Sequence, residues 1–192
     1  MRALGGTAWI IEVDSVKALE AVMDGHQVAA AADALPTADF VLTATGGIKA
    51  VGAKHFEMMK EGAILANAGH HDLDIDVDWL KNESEMISEV REGIDRYEMR
   101  GIGHLYVLAN GALVNIAGGL GHPIEIMDLS FAVQGVGCHE LAKGNLVPGV
   151  TVIASNLDNE IAAAALAAQG VMLDEVSAEQ TENIELMFGK ID

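Results

Sequence analysis

An α/β fold, built on a parallel sheet and closed by a helical tail, is what the sequence predicts. Three observations predict it. Short apolar runs alternate with helical patterns through the first half of the chain, those runs end in turns of small residues, and two long helical stretches follow Pro123 and Asn156.

The first apolar run, Ala8-Trp9-Ile10-Ile11-Glu12-Val13, reads as a strand, Ser15 to Met23 as a helix and Gln27-Val28-Ala29-Ala30 as a second strand. Phe40-Val41-Leu42-Thr43-Ala44-Thr45 is the next strand, ending in the Gly46-Gly47 turn; a helix around Lys54 to Lys60 and the strand Ala63-Ile64-Leu65-Ala66-Asn67 follow. Strands separated by helices pair in parallel, because each crossover carries the chain back to the end of the sheet from which it started. A further helix opens at Val77. From Glu85 the texture changes: Met86 to Val90, Asp95 to Glu98 and His104 to Leu108 are divided by glycine-bearing turns and read as strands appended to the sheet. Residues 1–150 are expected to form one partial ligand-binding domain with appended strands and a helix, and residues 151–192 a helical tail. The alanine-rich Ala162 to Ala168 is a good helix former, and no linker divides the chain.

Composition narrows the function. Of the 192 residues, 51% are apolar and 21% charged, which excludes disorder and leaves a soluble globular protein. Eleven basic residues against 29 acidic ones give a formal charge of −18, so phosphate backbones and anionic membranes are repelled and nucleic acid is not an expected partner. The same balance tolerates high salt, where self-repulsion is screened, although an ordinary acidic surface accounts for it equally. One cysteine, Cys138, permits no internal disulfide, and Met1 to Gly6 lacks the apolar core of a signal peptide, so a cytoplasmic location is expected. Ile161 to Leu173, the most apolar stretch, is broken by Gln169 and Gly170 and falls short of the roughly 20 residues a spanning helix needs.

Chemistry is concentrated at the ends of the apolar runs. Glu12 closes the first strand ahead of a helix, the place where dinucleotide folds set a carboxylate to hold the adenosine ribose hydroxyls. In those folds a G-x-G-x-x-G loop lies about 20 residues earlier, yet only eleven residues precede Glu12. The reading is therefore a Rossmann-type sheet that lacks its first strand and its glycine loop. Thr43-Ala44-Thr45-Gly46-Gly47 and Asn67-Ala68-Gly69-His70 fall at strand carboxyl ends, where open parallel sheets bind ligands and where small residues admit a flat molecule. Those glycines serve equally to turn the chain.

His70-His71-Asp72 to Asp78 resembles a calcium loop counted from Asp72 to Glu83, but Val77 stands where the loop needs glycine. No further histidines lie at zinc-ligand spacing, so no metal is expected, and the carboxylates read as a solvated face leading into the helix at Val77. Asn115 and Gly118-Gly119-Leu120-Gly121-His122-Pro123 form a glycine-rich turn whose amide and imidazole suit a polar ligand. A lone histidine is more often structural, and Met127 and Phe131, at helical spacing, are more often core than pocket lining. Cys138 has no activating neighbours and reads as a small buried residue.

Taken in order, Glu12-Val13-Asp14, Ala18 to Gly25, Thr43-Ala44-Thr45-Gly46, His55-Phe56, Asn67-Ala68-Gly69-His70, Ile75 to Leu80, Leu113-Val114-Asn115, Gly121-His122-Pro123 and Met127 to Phe131 resemble the S-adenosylhomocysteine hydrolase family. The resemblance spans nearly the whole chain and covers roughly the C-terminal half of that family's subunit. It implies that NAD is the cofactor, that Glu12 holds the adenosine ribose, and that Thr43, Thr45, Gly46, Ala68, Gly69 and His70 lie along NAD. It further implies that Asn115 meets the nicotinamide amide and that His122 sits between cofactor and substrate. His70, Leu120, His122, Met127 and Phe131 are the implied substrate-side positions, for S-adenosylhomocysteine or adenosine. Lys17 occupies a position where the family has a polar NAD contact, as does Gly47; His71 stands in place of phenylalanine and Val133 in place of asparagine.

The implied reaction oxidises a ribose hydroxyl to a ketone at the expense of NAD, eliminates homocysteine, adds water and then restores the hydroxyl. The lysine, aspartate and cysteine the family uses as bases are not in this chain, so the catalytic set is incomplete and this chain alone is expected to be inactive. A homo-oligomer or a partner chain supplying the missing half is expected, because sheet edges left bare associate. The rival reading is a non-catalytic nucleotide-binding or interaction module. An unrelated nicotinamide dehydrogenase would need the same glycine loop, and no substrate-anchoring arginine accompanies a histidine here.

Overall fold

Helix α1 (Ser15–Met23) shows how local chemistry sets the element boundaries. Asp14 caps it, its Oδ1 accepting from the backbone N–H groups of Val16 at 2.8 Å and Lys17 at 3.2 Å. At the other end the N–H groups of Gly25 and His26 donate to the carbonyls of Val22 and Ala21, both at 2.9 Å. Gly25 takes the left-handed conformation (φ 78°) that this termination requires. The helix joins two short parallel strands, β1 (Trp9–Ile10) and β2 (Gln27–Val28). The structure, a computed structural model, describes residues 4–188, so Met1 to Ala3 of the expected leaderless N-terminus lie outside the described residues.

A short helix α2 (Ala31–Ala34) and a 3₁₀ turn at Leu35–Thr37 lead to the larger sheet. Its elements are β3 (Phe40–Thr43), α3 (Ala53–Phe56), β4 (Ile64–Asn67), α4 (Val77–Glu83), β5 (Ser84–Arg91), β6 (Ile94–Met99) and β7 (Gly103–Leu108). The strand order is β3-β4-β7-β6-β5. β3, β4 and β7 run parallel, while β5, β6 and β7 form an antiparallel meander appended to them. The expected strands are all present, and the parallel ones fall into two separate sheets, because no described strand joins β1 to β3.

The core lies beneath the larger sheet. Phe56, Leu65, Leu80, Tyr97, Leu105 and Val107 are fully buried, and Phe56 stacks on Trp79 with ring centroids 5.4 Å apart. Burial, with a smaller contribution from the charge of Asp95, pushes the Tyr97 phenol up to about 12.

Helix α3 has only one turn and is held by a reciprocal cap. The His55 N–H donates to the Gly52 carbonyl at 2.8 Å, and the Gly52 N–H donates to His55 Nδ1 at 3.1 Å. Burial, then the charge of Lys54, lowers the His55 pKa below its ordinary 6.5. The unfolded chain therefore binds more protons than the folded one as pH falls below that ordinary value, so this contribution to stability is present above it and lost on acidification. His55→Gln is expected to cost about 0.5–1.5 kcal/mol at neutral pH, with a deficit that narrows as the pH falls below the ordinary histidine value. Thermal unfolding of the two proteins across that range checks it.

The chain divides into two compact units, the first ending at Gly121 and the second beginning at His122. The first also contains α5 (Val114–Ala117); the second contains α6 (Ile124–Ala142), α7 (Ser155–Ala168) and α8 (Ala178–Phe188). Within the second unit α6 packs on α7, and neither buries a residue fully. Cys138 is accordingly exposed, a correction to its reading as a buried residue: the helices of its own unit enclose no core around it. Among the described residues no helix is long and apolar enough to cross a membrane.

Candidate functional site

The carboxyl ends of β3 and β4 are tied together by two buried polar side chains. Asn67, the last residue of β4, is fully buried; its Oδ1 accepts from the Thr43 hydroxyl at 3.1 Å and from the Gly69 N–H at 2.6 Å. Its Nδ2 donates to the carbonyls of His71 at 2.7 Å and Gly111 at 3.0 Å. Every hydrogen-bonding position of this amide is thus used within the protein.

Asp74 does the same work for the loop after β3. It is fully buried and accepts from the Thr45 N–H at 2.8 Å, the Thr45 hydroxyl at 2.9 Å and the Gly46 N–H at 3.2 Å. The Thr45 hydroxyl in turn accepts from the Gly47 N–H at 3.0 Å. Asp74 is brought there by a parallel bridge between Val51 and Ile75, with the Lys49 N–H donating to the Leu73 carbonyl at 2.7 Å and the Val51 N–H to the Asp74 carbonyl at 2.9 Å. The reading of Asp72 to Asp78 as one solvated face is therefore corrected. Asp72 and Asp78 are exposed, but Asp76 caps α4 through the Trp79 N–H and pairs with Lys49 at 2.9 Å, and Asp74 is interior. Sequence reasoning missed Asp74, and it named Asn67 only as part of the loop at a strand end, not as the buried amide that ties the loops together.

Gly69 lies where these groups converge. A Cβ there would stand 2.8 Å from Asp74 Oδ2, 2.9 Å from Asn67 Oδ1 and 3.1 Å from the Gly46 nitrogen. Neither side chain can retreat without giving up its hydrogen bonds. Gly69→Ala is expected to cost about 1–3 kcal/mol, as overpacking does, and to lower the urea midpoint accordingly.

A third loop joins the same end of the sheet. Leu113 bridges Asn67 in parallel, and the Asn67 contact to Gly111 holds the turn that leads into α5. Gly111 has φ +79°, and an added Cβ would meet Val77 Cγ2 at 2.9 Å, so only glycine serves there. This places Asn115 on α5. Its Oδ1 is buried and has no hydrogen-bond partner, an arrangement that is costly unless a ligand donor completes it. An amide of a bound ligand would supply that donor.

The remaining candidates are placed as follows. Glu12 follows β1, in the smaller sheet, and is exposed; its Oε1 accepts from the N–H groups of Val13 at 2.6 Å and Asp14 at 3.0 Å. These bonds, from Asp14 first and then Val13, lower its pKa and keep the carboxylate ionised. Lys17 is exposed on α1. Thr43 is buried, with its hydroxyl proton given to Asn67, whereas Thr45 and Gly46 lie on the surface of the clasped loop. Ala68 and His70 are exposed beside buried Gly69, and the His70 ring meets His71 edge to face with centroids 4.7 Å apart. Leu120 is fully exposed at the end of the first unit. In the second unit His122 precedes α6, Met127 is half-buried and Phe131 is exposed, both on that helix.

The structure thus unites Thr43, Thr45, Gly46, Gly69 and the Asn115 loop at one end of a parallel sheet. The loops beyond β3 and β4 present small residues at this end, and the orphan Asn115 amide oxygen is open to a ligand donor. The described residues contain no glycine loop for a pyrophosphate.

Residues 1–121 match a family model described as S-adenosyl-L-homocysteine hydrolase, NAD binding domain. That stretch ends at the boundary of the first structural unit. The chain is 43% identical over 186 residues to the adenosylhomocysteinase of Thermococcus kodakarensis, covering 96% of this chain and 44% of that protein. It is 40% identical over 185 residues to the adenosylhomocysteinase of Nostoc sp., covering 95% of this chain and 44% of the relative. The S-inosyl-L-homocysteine hydrolase of Methanopyrus kandleri is 41% identical over 184 residues, covering 94% and 43% respectively. The chain therefore spans less than half the length of the curated relatives it matches.

Proposed function

Because the chain belongs to the S-adenosyl-L-homocysteine hydrolase family, we propose that it provides most of the NAD-binding half of an enzyme that reversibly converts S-adenosylhomocysteine to adenosine and homocysteine. The observation that carries the reading is the set of three loops at the carboxyl end of one parallel sheet, clasped by Asn67 and Asp74, with an unpartnered buried amide oxygen at Asn115.

In this reading Glu12 grips the adenosine ribose of NAD through Oε2, which accepts no bond among the described residues. Lys17 lies along the same end of the cofactor. The Thr45-Gly46 and Ala68-Gly69-His70 loops are held flat by Asp74 and Asn67 so that the dinucleotide can rest on them. Asn115 Oδ1 accepts from the nicotinamide amide and fixes which face of the ring meets the substrate. His70 and Leu120 of the first unit are substrate-side positions by the resemblance, and so, within the second unit, are His122, Met127 and Phe131. When bound, NAD supplies reversible oxidation of a ribose hydroxyl. Relatives named for adenosyl and for inosyl substrates are about equally similar, so the base at the nucleoside end is set by details of this pocket. A single cysteine fits a reducing, cytoplasmic compartment.

Without a glycine loop, two or three backbone hydrogen bonds to a charged pyrophosphate are missing, each worth roughly 1.5–3 kcal/mol. NAD is expected to bind this chain alone at least ~10²-fold more weakly than the completed enzyme. Titration calorimetry with NAD tests this: a weak heat abolished by Glu12→Ala supports the reading. No heat at millimolar NAD would favour a non-catalytic interaction module, for which the exposed apolar residues Ile124, Leu129 and Phe131 of α6 speak. Turnover by the purified chain would show that the catalytic half is not needed.

A further inference from the structure

A concavity lies at the end of the larger sheet away from the clasped loops. β7 runs parallel to β4, so the turn that precedes Gly103 stands at the amino end of these strands, opposite the loops that follow Asn67. In that turn the Ile102 N–H donates to the Met99 carbonyl at 3.3 Å, and Gly101 takes the left-handed conformation (φ 79°) that the reversal requires. Together with Glu57, at the end of the one-turn helix α3, and with Trp79 and Glu83 of α4, the turn lines a cavity of about 340 Å³.

That volume falls within the range of small-molecule pockets, roughly 300–1,000 Å³. The lining has two characters. Met99 is buried and Trp79 and Ile102 are half-buried, which gives an apolar wall whose indole is held in place by its stacking on Phe56. Glu57, Glu83 and Arg100 line the same cavity and are exposed, and among the described residues none of the three makes a hydrogen bond or an ion pair. Opposite charges that share a cavity without pairing remain available to a third group. An ammonium has three N–H donors and can serve two carboxylates, while a guanidinium fork matches a carboxylate with two parallel bonds. A ligand that uses all three charges therefore carries an ammonium and a carboxylate on one short frame, with an apolar arm for the wall. A simple amine would leave Arg100 unpaired, and a simple carboxylic acid would meet two carboxylates.

We propose that this cavity binds a free α-amino acid with an apolar side chain. Its ammonium sits between Glu57 and Glu83, its carboxylate on Arg100 and its side chain against Trp79, Met99 and Ile102. The site stands apart from the cofactor loops and does not rest on the proposed function. Helix α4 joins the two ends of the sheet: Trp79 and Glu83 lie on the helix that Asp76 caps, two residues after Asp74. An occupant of the cavity thus bears on a helix whose first turn is fixed beside the clasp.

The test is a fluorescence titration of the 192-residue chain with L-methionine. The chain has two tryptophans, and Trp9→Phe leaves Trp79 as the reporter. A saturable change in its emission is expected, with Kd on the order of a millimolar or tighter. Methioninol, which lacks the carboxylate, and N-acetylmethionine, which lacks the ammonium, are expected to bind at least ~10-fold more weakly. Arg100→Gln, and Glu57→Gln combined with Glu83→Gln, are expected to weaken L-methionine by a similar factor and to leave the unfolding midpoint unchanged, because these side chains are exposed and unpaired. No saturable change at roughly tens of millimolar L-methionine would overturn the site. Methioninol binding as tightly as methionine would also overturn it, as the mark of a site for a simple cation, and variants that bind like the parent would place the amino acid elsewhere. None of these results depends on NAD, so a failed cofactor titration overturns the proposed function and leaves this site standing, and a failed methionine titration does the reverse.

Discussion

Asp74→Ala is expected to destabilise the chain by about 3–5 kcal/mol, a large share of the 5–15 kcal/mol typical of a folded domain. Three hydrogen bonds to a buried carboxylate disappear, and the N–H groups of Thr45 and Gly46 are left without an acceptor. Asp74→Asn can keep its oxygen on the Thr45 and Gly46 N–H groups and turn its NH2 to the Thr45 hydroxyl, which must then accept rather than donate, so a smaller loss of about 1–2 kcal/mol is expected. Urea denaturation measures both. If the aspartate also shapes the cofactor surface, the asparagine variant should lose calorimetric heat with NAD at temperatures where it remains folded.

The second large effect lies beneath that loop. Phe56→Ala is expected to cost about 3–5 kcal/mol, because a fully buried ring is removed and its stacking on Trp79 is lost. Helix α3 has four residues and no stability of its own, so Phe56 is what anchors the crossover between β3 and β4. Tryptophan fluorescence follows the change directly, since Trp79 leaves its aromatic neighbour while Trp9 is unaffected. An unaltered denaturation midpoint would show that the crossover is held by the Val51–Ile75 bridge instead.

Much of the fold was legible because its signals are local. Apolar runs flanked by turns marked β3, β4 and β7, and the helical pattern from Ser15 to Met23 marked α1 to the residue. That the parallel strands fall into two sheets, β1-β2 and the larger one, was marked by no local signal. Asp74 was not legible. Its surroundings, Asp72-Leu73-Asp74-Ile75-Asp76, alternate as a half-exposed strand does, but the alternation fails: Leu73 is half exposed while Asp74 and Ile75 are both buried. What buries Asp74 is a set of donors 28 and 29 residues away, and no window along the sequence contains them. Cys138 failed for the opposite reason. Its helix is apolar enough for a core, but the unit it belongs to does not enclose one.

The place of β7 between β4 and β6 also orders events in time. β5, β6 and β7 are joined by tight turns, so their pairing closes short loops and proceeds on the order of microseconds. Pairing of β3 with β4 must close the chain from Ala44 to Ala63, and docking of β4 on β7 a longer stretch, which raises the entropic cost. On a ribosome β1, α1 and β2 emerge before all of these, yet two strands of two residues each are too small to persist as a sheet by themselves. This segment, synthesised ahead of the meander, therefore settles after it, and a nascent chain should expose it to proteases and chaperones long after the meander has folded.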